Sequence, residues 1–588
     1  MATRRAGVDV VLVGMGFTGG ILANELAEAG LSVVGLERGI SRDTVPDFQA
    51  PAMHDELRYA IRGHLFQNPT VEPFSFRNTP NDEALPVRSL GSFLPGTDLG
   101  GAGVHWNGQT WRFLPTDFNI VSHQRQRYGA GSIPDELTIQ DWPVSYDELE
   151  PYYDRFEYLL GIGAKAGNLK GELQPGGNPF EGPRQREFPN PPTEPAYAGA
   201  LFANAAKELG YAPFQVPSAN MTRDYTNPEG MALKACHICG YCERFGCEHY
   251  AKSSPQTVIL PKALARPNVE LRTRSHVTRV LLSPDGSRAT GVLYIDETGA
   301  EVEQPAEIVI LCAFGINNVK LLLNSGIGPA YDPATGQGTV GRNYTYQTMA
   351  GAAVFYNEDI NINPFMGAGA LGTAIDDYNG DNFDHGGLDF IGGAYIAAYT
   401  TGGRPIEYHP VPPDTPRWGM GWKQAVRRHY NHTVSLGVHG SSMATRSNYL
   451  SLDPTYRDAY GQPLLRFTFD FPENDIRMAR YLTDRAVEIA RLMGGEQISV
   501  NRRSRPYSVV PYQTTHNTGG AIMGADPTTS ATNRYGQSWA VPNVFVQGAC
   551  LYPQNPGYNP TGTVGALAYW AARAITQDYL RQPGPLVR

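Results

Sequence analysis

An α/β domain of the Rossmann type, joined to an α+β domain built on an antiparallel sheet, is the fold class this 588-residue chain predicts. Three observations predict it. Residues 8–13, VDVVLV, read as a buried parallel strand running into the turn Gly14-Met-Gly-Phe-Thr-Gly19 and a helical run, ILANELAEAG. A second strand-like run, LSVVGLE, follows and ends on Glu37. Far downstream, VELRTR, VTRVLLS, TGVLYID and EIVILCAF, with turns at SPDGS and DETGA, supply further strands.

The first unit is a complete dinucleotide fingerprint. Gly14 makes the tight turn, Gly16 lets a pyrophosphate approach the backbone, and Gly19 packs helix against strand. The helix N-terminus faces the phosphates, and Glu37, twenty-three residues after Gly14, is placed to accept ribose hydroxyls. This unit alone does not choose between FAD and NAD. The twin arginine ahead of it leads straight into the strand, so a first β-strand is expected there rather than a signal peptide.

Composition narrows the function. Forty-eight basic against fifty-seven acidic residues give a net charge of -9 with no long Lys/Arg block, which argues against a nucleic-acid surface. No apolar run approaches the roughly eighteen residues of a membrane helix.

Later stretches add to the fingerprint. DLGGAGVHWNGQTWRF (98–113) is a supple loop, with Gly100, Gly101, Gly103 and Gly108, able to press its backbone against a flat ring. DWPVSYDELEPYYDRFEYLLG reads as a helix, VILCAFGINNVKLLLNSGIG as strand–turn–helix, and SNYLSLDPTYRDAYGQPLLRFTF as a hairpin. With the block from Tyr512 to the closing helix, these stretches resemble the glucose-methanol-choline (GMC) oxidoreductases, FAD enzymes that oxidise alcohols and sugars. The resemblance runs from near residue 8 to near residue 575 and is nearest to the sugar-acid dehydrogenase branch. It implies an FAD-binding domain of the GMC type with a discontinuous substrate domain. Besides Gly14, Gly16, Gly19 and Glu37, it implies flavin contacts at Gly101, His105, Asn107, Gly108, Val277, Pro560 and Thr561. In pyranose-oxidising members the histidine of the His-Trp pair, here His105, is bonded to the flavin 8α carbon; other members keep the loop without the bond.

TTHNTGGAIMG places His516 before a stretch of small residues, and GYNPTGTVGALAYWAA carries Asn559 forty-three residues later. Oxidising an alcohol needs a base for the hydroxyl proton while hydride leaves carbon, and a neutral imidazole suits that task. An uncharged amide can hold the substrate oxygen. Taken alone, a histidine near glycines is more often structural, the two residues merely satisfying each other in a polar loop; the match to the family's His/Asn pair implies catalysis instead. Pro560 is expected in the first turn of a helix whose N-terminus points at the flavin pyrimidine.

CHICGYCERFGC gathers Cys236, Cys239, Cys242 and Cys247. Disulfides, a zinc site and an iron–sulfur cluster all compete. Residues three apart point their thiols awkwardly for disulfides, and the short last spacing cramps a zinc cage. C-x2-C-x2-C is similar to the run that holds a cubane in bacterial ferredoxins. The resemblance favours a cluster, commonly [3Fe–4S] in the sugar-dehydrogenase branch, where it would take the flavin's electron pair one electron at a time. Cys312 and Cys550, in apolar strands, read as packing residues.

The expected organisation is an FAD domain from residues 1–120, 266–345 and 506–588, a cysteine-bearing insertion over 121–265, and a substrate domain over 346–505. The proline- and glycine-rich stretch 165–195 is expected to run over the surface, toward a partner. Among His409, His429, His432 and His439, one or two are expected to line the pocket, and Arg446, Arg502, Arg503 and Arg505 are candidate cations for a carboxylate. The resemblance implies oxidation of a secondary alcohol of a sugar or sugar acid, D-gluconate at C2 first, with a pyranose or glucoside oxidase or 3-dehydrogenase as the alternative. It also implies a small subunit for export and assembly and a multihaem cytochrome c subunit. These would place the chain on the periplasmic face of the bacterial inner membrane; a cytoplasmic enzyme is the alternative.

Overall fold

A computed structural model describes residues 2–48, 65–89 and 91–587. Its largest sheet is the mixed sheet that the fingerprint calls for. Four strands run parallel in the order Val269–Arg272, Val33–Leu36, Val8–Val13 and Glu301–Leu311, with Val10 opposite Val33 and Ala306 opposite Val8. The eleven-residue Glu301–Leu311 strand does two jobs. Its second half pairs in parallel with Val8–Val13 and Val544–Val546, and its first half pairs antiparallel with Ala289–Ile295, which in turn pairs with His276–Leu282. Val10, Val11 and Leu12 are fully buried, as a run of apolar residues covered on both faces must be.

The helix Phe17–Glu28 returns along this sheet and packs against the closing helix Thr561–Ala574 and the short helix Leu260–Leu264. Two glycines set that geometry. Gly14 has φ +94°, and a Cβ there would lie 2.6 Å from the Cys312 carbonyl oxygen. A Cβ on Gly19 would lie 2.2 Å from the carbonyl oxygen of Gly14.

A second, six-stranded antiparallel sheet runs in the order Gln497–Asn501, Thr348–Phe355, Thr433–Gly440, Ala394–Tyr399, Gly372–Ile375 and Phe214–Gln215. Alternation along its strands separates two environments. Ala394, Ile396 and Ala398 pack with Met478, Leu482 and Ile489 of the helix Glu473–Leu492 and with Phe202 of the helix Tyr197–Glu208. Tyr399 of the same strand and His439 of its neighbour line a cavity on the opposite face.

Two strand pairings cross the expected boundaries. Phe74–Arg77, from the first expected segment, pairs with Pro463–Thr468 of the expected substrate segment, and Phe214–Gln215 of the expected insertion joins the six-stranded sheet. The stretch 165–195 also departs from expectation, for it is not simply a surface excursion: Arg184 is fully buried. Glu157, on the helix Tyr146–Leu160, chelates both Arg112 and Arg184 at 2.7–2.9 Å. Burial raises the carboxyl pKa of Glu157, but the two guanidiniums outweigh it and hold that pKa below the usual range. Removing one partner of such a buried set typically costs about 3–5 kcal/mol, which ties the stretch to the helix.

Candidate active site

One cavity of about 430 Å³ runs between the two sheets, a volume within the range of cofactor clefts. At one end stand Glu37 and Val277, in the middle the glycine turns, and at the other His516 and Asn559. Glu37 is buried; its two oxygens accept from the backbone N–H groups of Met15 and Gly39 at 3.0 and 3.1 Å. Burial raises its pKa, and these bonds partly offset that. Gly16 caps the Phe17–Glu28 helix without a side-chain bond. A Cβ on Gly16 would meet nothing closer than 3.6 Å and one on Gly101 nothing closer than 3.9 Å, so the space these glycines leave open is the cavity itself. A bare helix end, a glycine cradle and a buried acid at the far end fit a dinucleotide.

His105 and Asn107 also line the cavity, whereas Gly108 does not; a Cβ there would approach the Asn220 amide at 3.0 Å. His105 Nε2 contacts the Leu94 carbonyl at 3.2 Å, and Nδ1 is buried with no partner among the described residues. Since a carbonyl only accepts, Nε2 carries the proton and Nδ1 keeps a free lone pair. Burial, then the charge of Lys252, pushes the His105 pKa down to about 3. Pro560 and Thr561 line the cavity as expected, but Pro560 is the N-cap of the Thr561–Ala574 helix rather than a first-turn residue.

The His516–Asn559 pair is held by two locked amides. Trp111 Nε1, which can only donate, bonds Asn559 Oδ1 at 3.1 Å, and the Tyr395 hydroxyl donates to the same oxygen at 3.0 Å. Asn559 Nδ2 is therefore turned toward His516 Nε2, 3.2 Å away. On the other side Gln347 donates its Nε2 to the Gly557 carbonyl, which leaves Oε1 facing His516 Nδ1 at 2.7 Å. His516 is thus the Nδ1–H tautomer, with its basic lone pair on Nε2. Burial lowers its pKa to about 3 and keeps the ring neutral. The same cause, followed by the neighbouring His516, brings His439 to about 3.

Sequence reasoning missed Gln347, Tyr395 and Tyr399. The tyrosines were readable, since AYIAAY places them four residues apart on one strand face; nothing near Gln347 signalled it. Of the four histidines singled out together, His439 lines the cavity, stacked on Tyr395 at 4.5 Å, and the other three do not. None of Arg446, Arg502, Arg503 and Arg505 lines it either: Arg446 binds the Pro333 and Ala334 carbonyls, Arg502 pairs with Asp484, Arg505 pairs with Glu473, and Arg503 donates to the Met349 carbonyl and lies over the Phe471 ring. Arg244, from within the cysteine segment, lines the cavity beside Tyr512.

That segment abuts the flavin-loop residues. Lys252 is buried and donates to the carbonyls of Trp106, Cys242 and Phe245 at 2.7–2.8 Å, and Arg244 N donates to the His105 carbonyl at 2.7 Å. All four cysteines have free thiols. Burial, then the charge of neighbouring cysteines, raises Cys236 and brings Cys239 to about 12; burial raises Cys242, which Lys252 partly offsets. Sulfur atoms of Cys236, Cys242 and Cys247 accept from Ile238 N, Asn220 Nδ2 and Ala251 N at 3.3–3.6 Å. Yet among the described residues no group of three or more His, Cys, Asp or Glu side chains is disposed to hold a metal ion. The expected donors are neighbours, but not a formed ligand shell. Cys312 and Cys550 are buried in the core, and Cys312 also lines the cavity. No helix among the described residues is long and apolar enough to cross a membrane.

Comparison with known proteins finds the GMC oxidoreductase N-terminal family model over residues 139–349 and the C-terminal one over 444–568. The chain is 48% identical over 586 residues to the gluconate 2-dehydrogenase flavoprotein of Pantoea cypripedii, covering 99% of this chain and 95% of that one. It is 29% identical to a 2-methyl-1,2-propanediol dehydrogenase of Mycolicibacterium austroafricanum, over 98% and 97% of the two chains. The fructose dehydrogenase large subunit of Gluconobacter japonicus is 26% identical, over 98% and 99%. Among solved structures, a variant of Aspergillus oryzae formate oxidase superimposes with TM-score 0.59 at 14% identity, over 99% of both chains, a likeness of fold.

Proposed function

The chain belongs to the GMC oxidoreductases, FAD-dependent enzymes that act on CH–OH groups, and from that premise we propose that it oxidises a secondary alcohol of a sugar acid, D-gluconate to 2-keto-D-gluconate. Support for this substrate is the 48% identity, over nearly the whole of both chains, to a gluconate 2-dehydrogenase flavoprotein. The observation that carries the chemistry is the locked His516–Asn559 pair.

FAD, when bound, supplies the acceptor for the hydride that leaves carbon. In our reading the residues do the rest. The substrate hydroxyl enters between His516 Nε2 and Asn559 Nδ2; Nε2 accepts the proton and Nδ2 donates to the oxygen. Gln347 Oε1 holds the Nδ1 proton and steadies the imidazolium as it forms. Gly14, Gly16 and Glu37 would hold the pyrophosphate and ribose, and Val277 the adenine, while Gly19, which does not line the cavity, lets the helix close on the turn. Gly101, Asn107, Pro560 and Thr561 would lie along the flavin, and His105 would bond the 8α carbon through Nδ1, the nitrogen left without a partner among the described residues.

A specific observation favours a second centre as well. N–H donors on three sulfurs and the buried Lys252 cation suit thiolates bound to a soft metal, whose coordination would supply the deprotonation that burial opposes. We read Cys236, Cys239, Cys242 and Cys247 as the pool of donors for an iron–sulfur cluster, three of them for [3Fe–4S], the preferred type, or all four for [4Fe–4S], which would supply a one-electron carrier. A small subunit and a cytochrome c subunit at the periplasmic membrane face complete the proposal.

The test is turnover with a dye acceptor, comparing gluconate, glucose and glucosides. Preferred oxidation of gluconate, with 2-keto-D-gluconate as product, is expected. Turnover of pyranoses but not of gluconate overturns the substrate and leaves the pyranose or glucoside 3-dehydrogenase in its place.

A further inference from the structure

We propose that Arg244 is the residue that selects a carboxylate substrate, its guanidinium binding the acid group next to the oxidised carbon. The inference rests on the sugar-acid reading above and deepens it.

Among the described residues, three cations line the cavity apart from histidines: Arg38, Lys320 and Arg244. Arg38 is engaged by Glu72, Gln67 and the Gly96 carbonyl, and Lys320 by Asp458 at 2.6 Å, both with acids to match. Glu72 and His276 place these two at the Val277 end, away from the His/Asn pair. Arg244 stands instead over the ring of Tyr512, 4.9 Å from its centroid, four residues before His516. Its Nη2 donates to Glu407 at 2.9 Å, while its Nε is buried with no partner among the described residues.

An unsatisfied buried guanidinium N–H is costly, and an incoming anion relieves that cost. The acids nearby leave room for one. Glu407 is shared, accepting also from Arg404 at 2.9 and 3.0 Å, and Glu243 accepts from the Tyr512 hydroxyl at 2.6 Å. The backbone supports a positioned role. Arg244 has φ +68°, a conformation uncommon for a side-chain-bearing residue, and its N–H is fixed on the His105 carbonyl. Glu407 thus orients the fork and Tyr512 carries its flat face, while Nε remains for a carboxylate oxygen.

The experiment uses the flavin-loaded enzyme and two unreactive ligands, 2-deoxy-D-gluconate and its neutral analogue 2-deoxy-D-glucitol, with binding read from the change in flavin absorbance. Wild type should bind the acid more tightly than the alcohol. R244Q should weaken the acid on the order of 10- to 100-fold, the span of a charge-assisted hydrogen bond, and leave the alcohol unchanged. E407Q, which removes the competing charge, should tighten the acid a few-fold and again spare the alcohol. A merely structural arginine cannot move the two variants in opposite directions. Equal effects on both ligands, or no change in their ratio in either variant, overturn the proposal; if R244Q fails to hold flavin, E407Q decides alone. Failure of the sugar-acid reading looks different, because wild type would then show no preference for the acid.

Discussion

Gln347 presents its amide oxygen to Nδ1 of His516 at 2.7 Å, and the Gly557 carbonyl, by taking the amide nitrogen, makes that the only sensible orientation. A side chain 169 residues away in sequence therefore decides which nitrogen of the base is free.

Replacing it should show this. Gln347→Met keeps the length but removes the acceptor, so the ring can adopt the other tautomer and rotate. A fall in kcat on the order of 10- to 100-fold, with KM little altered, is expected from loss of such an orienting contact. Steady-state kinetics on the flavin-loaded variant checks it; a change confined to KM would place Gln347 in substrate binding instead.

The pH profile follows from burial. His516 acts as a base only while neutral, and burial lowers its pKa to about 3. Activity is thus present above that value and lost as pH falls through it, so kcat/KM should show no limb near 6.5, the ordinary imidazole value. A titration of kcat/KM from about pH 4.5 to 8 measures this directly, and a clear limb between about 6 and 7 contradicts it.

His105 offers a one-step assay. If Nδ1 is bonded to the flavin, acid precipitation should carry the yellow colour down with the protein, and H105A should release it to the supernatant. Free FAD from the wild type counts against the bond.

Metal analysis tests the cysteine segment. The purified protein is expected to contain iron and acid-labile sulfide, with broad absorbance near about 400 nm beyond the flavin bands. C242S should lose most of that iron while keeping flavin. Zinc in place of iron would overturn the electron-carrier reading of the site.

Much of the large sheet was legible because its signals are local. Gly14 and Gly19 are dictated by backbone approaches around the first turn, and VDVVLV and EIVILCAF are apolar enough to be read as covered strands. His516 and Asn559 could be singled out by motif, but not their tautomer and amide orientation, which depend on Gln347, Trp111 and Tyr395 from three other segments. Arg244 was hidden for a different reason. It sits among cysteines that drew the chemistry toward metal, and only folding brings it beside Tyr512. Arg184 was obscured by its proline-rich surroundings, since composition describes a stretch's average and burial is decided residue by residue.

The Ala394–Tyr399 strand keeps two ledgers on one backbone: alanine and isoleucine toward the helices, tyrosine toward the reaction. On the tyrosine face only Tyr399 borders the cavity; Tyr395 and Ala397 are as fully buried as the even positions. A lineage, or a library, can therefore explore new substrates at Tyr399 and its neighbour His439, which line the cavity, whereas Tyr395 is held by its bond to Asn559. Changes at Ala394, Ile396 and Ala398 would damage folding first and teach nothing about selectivity.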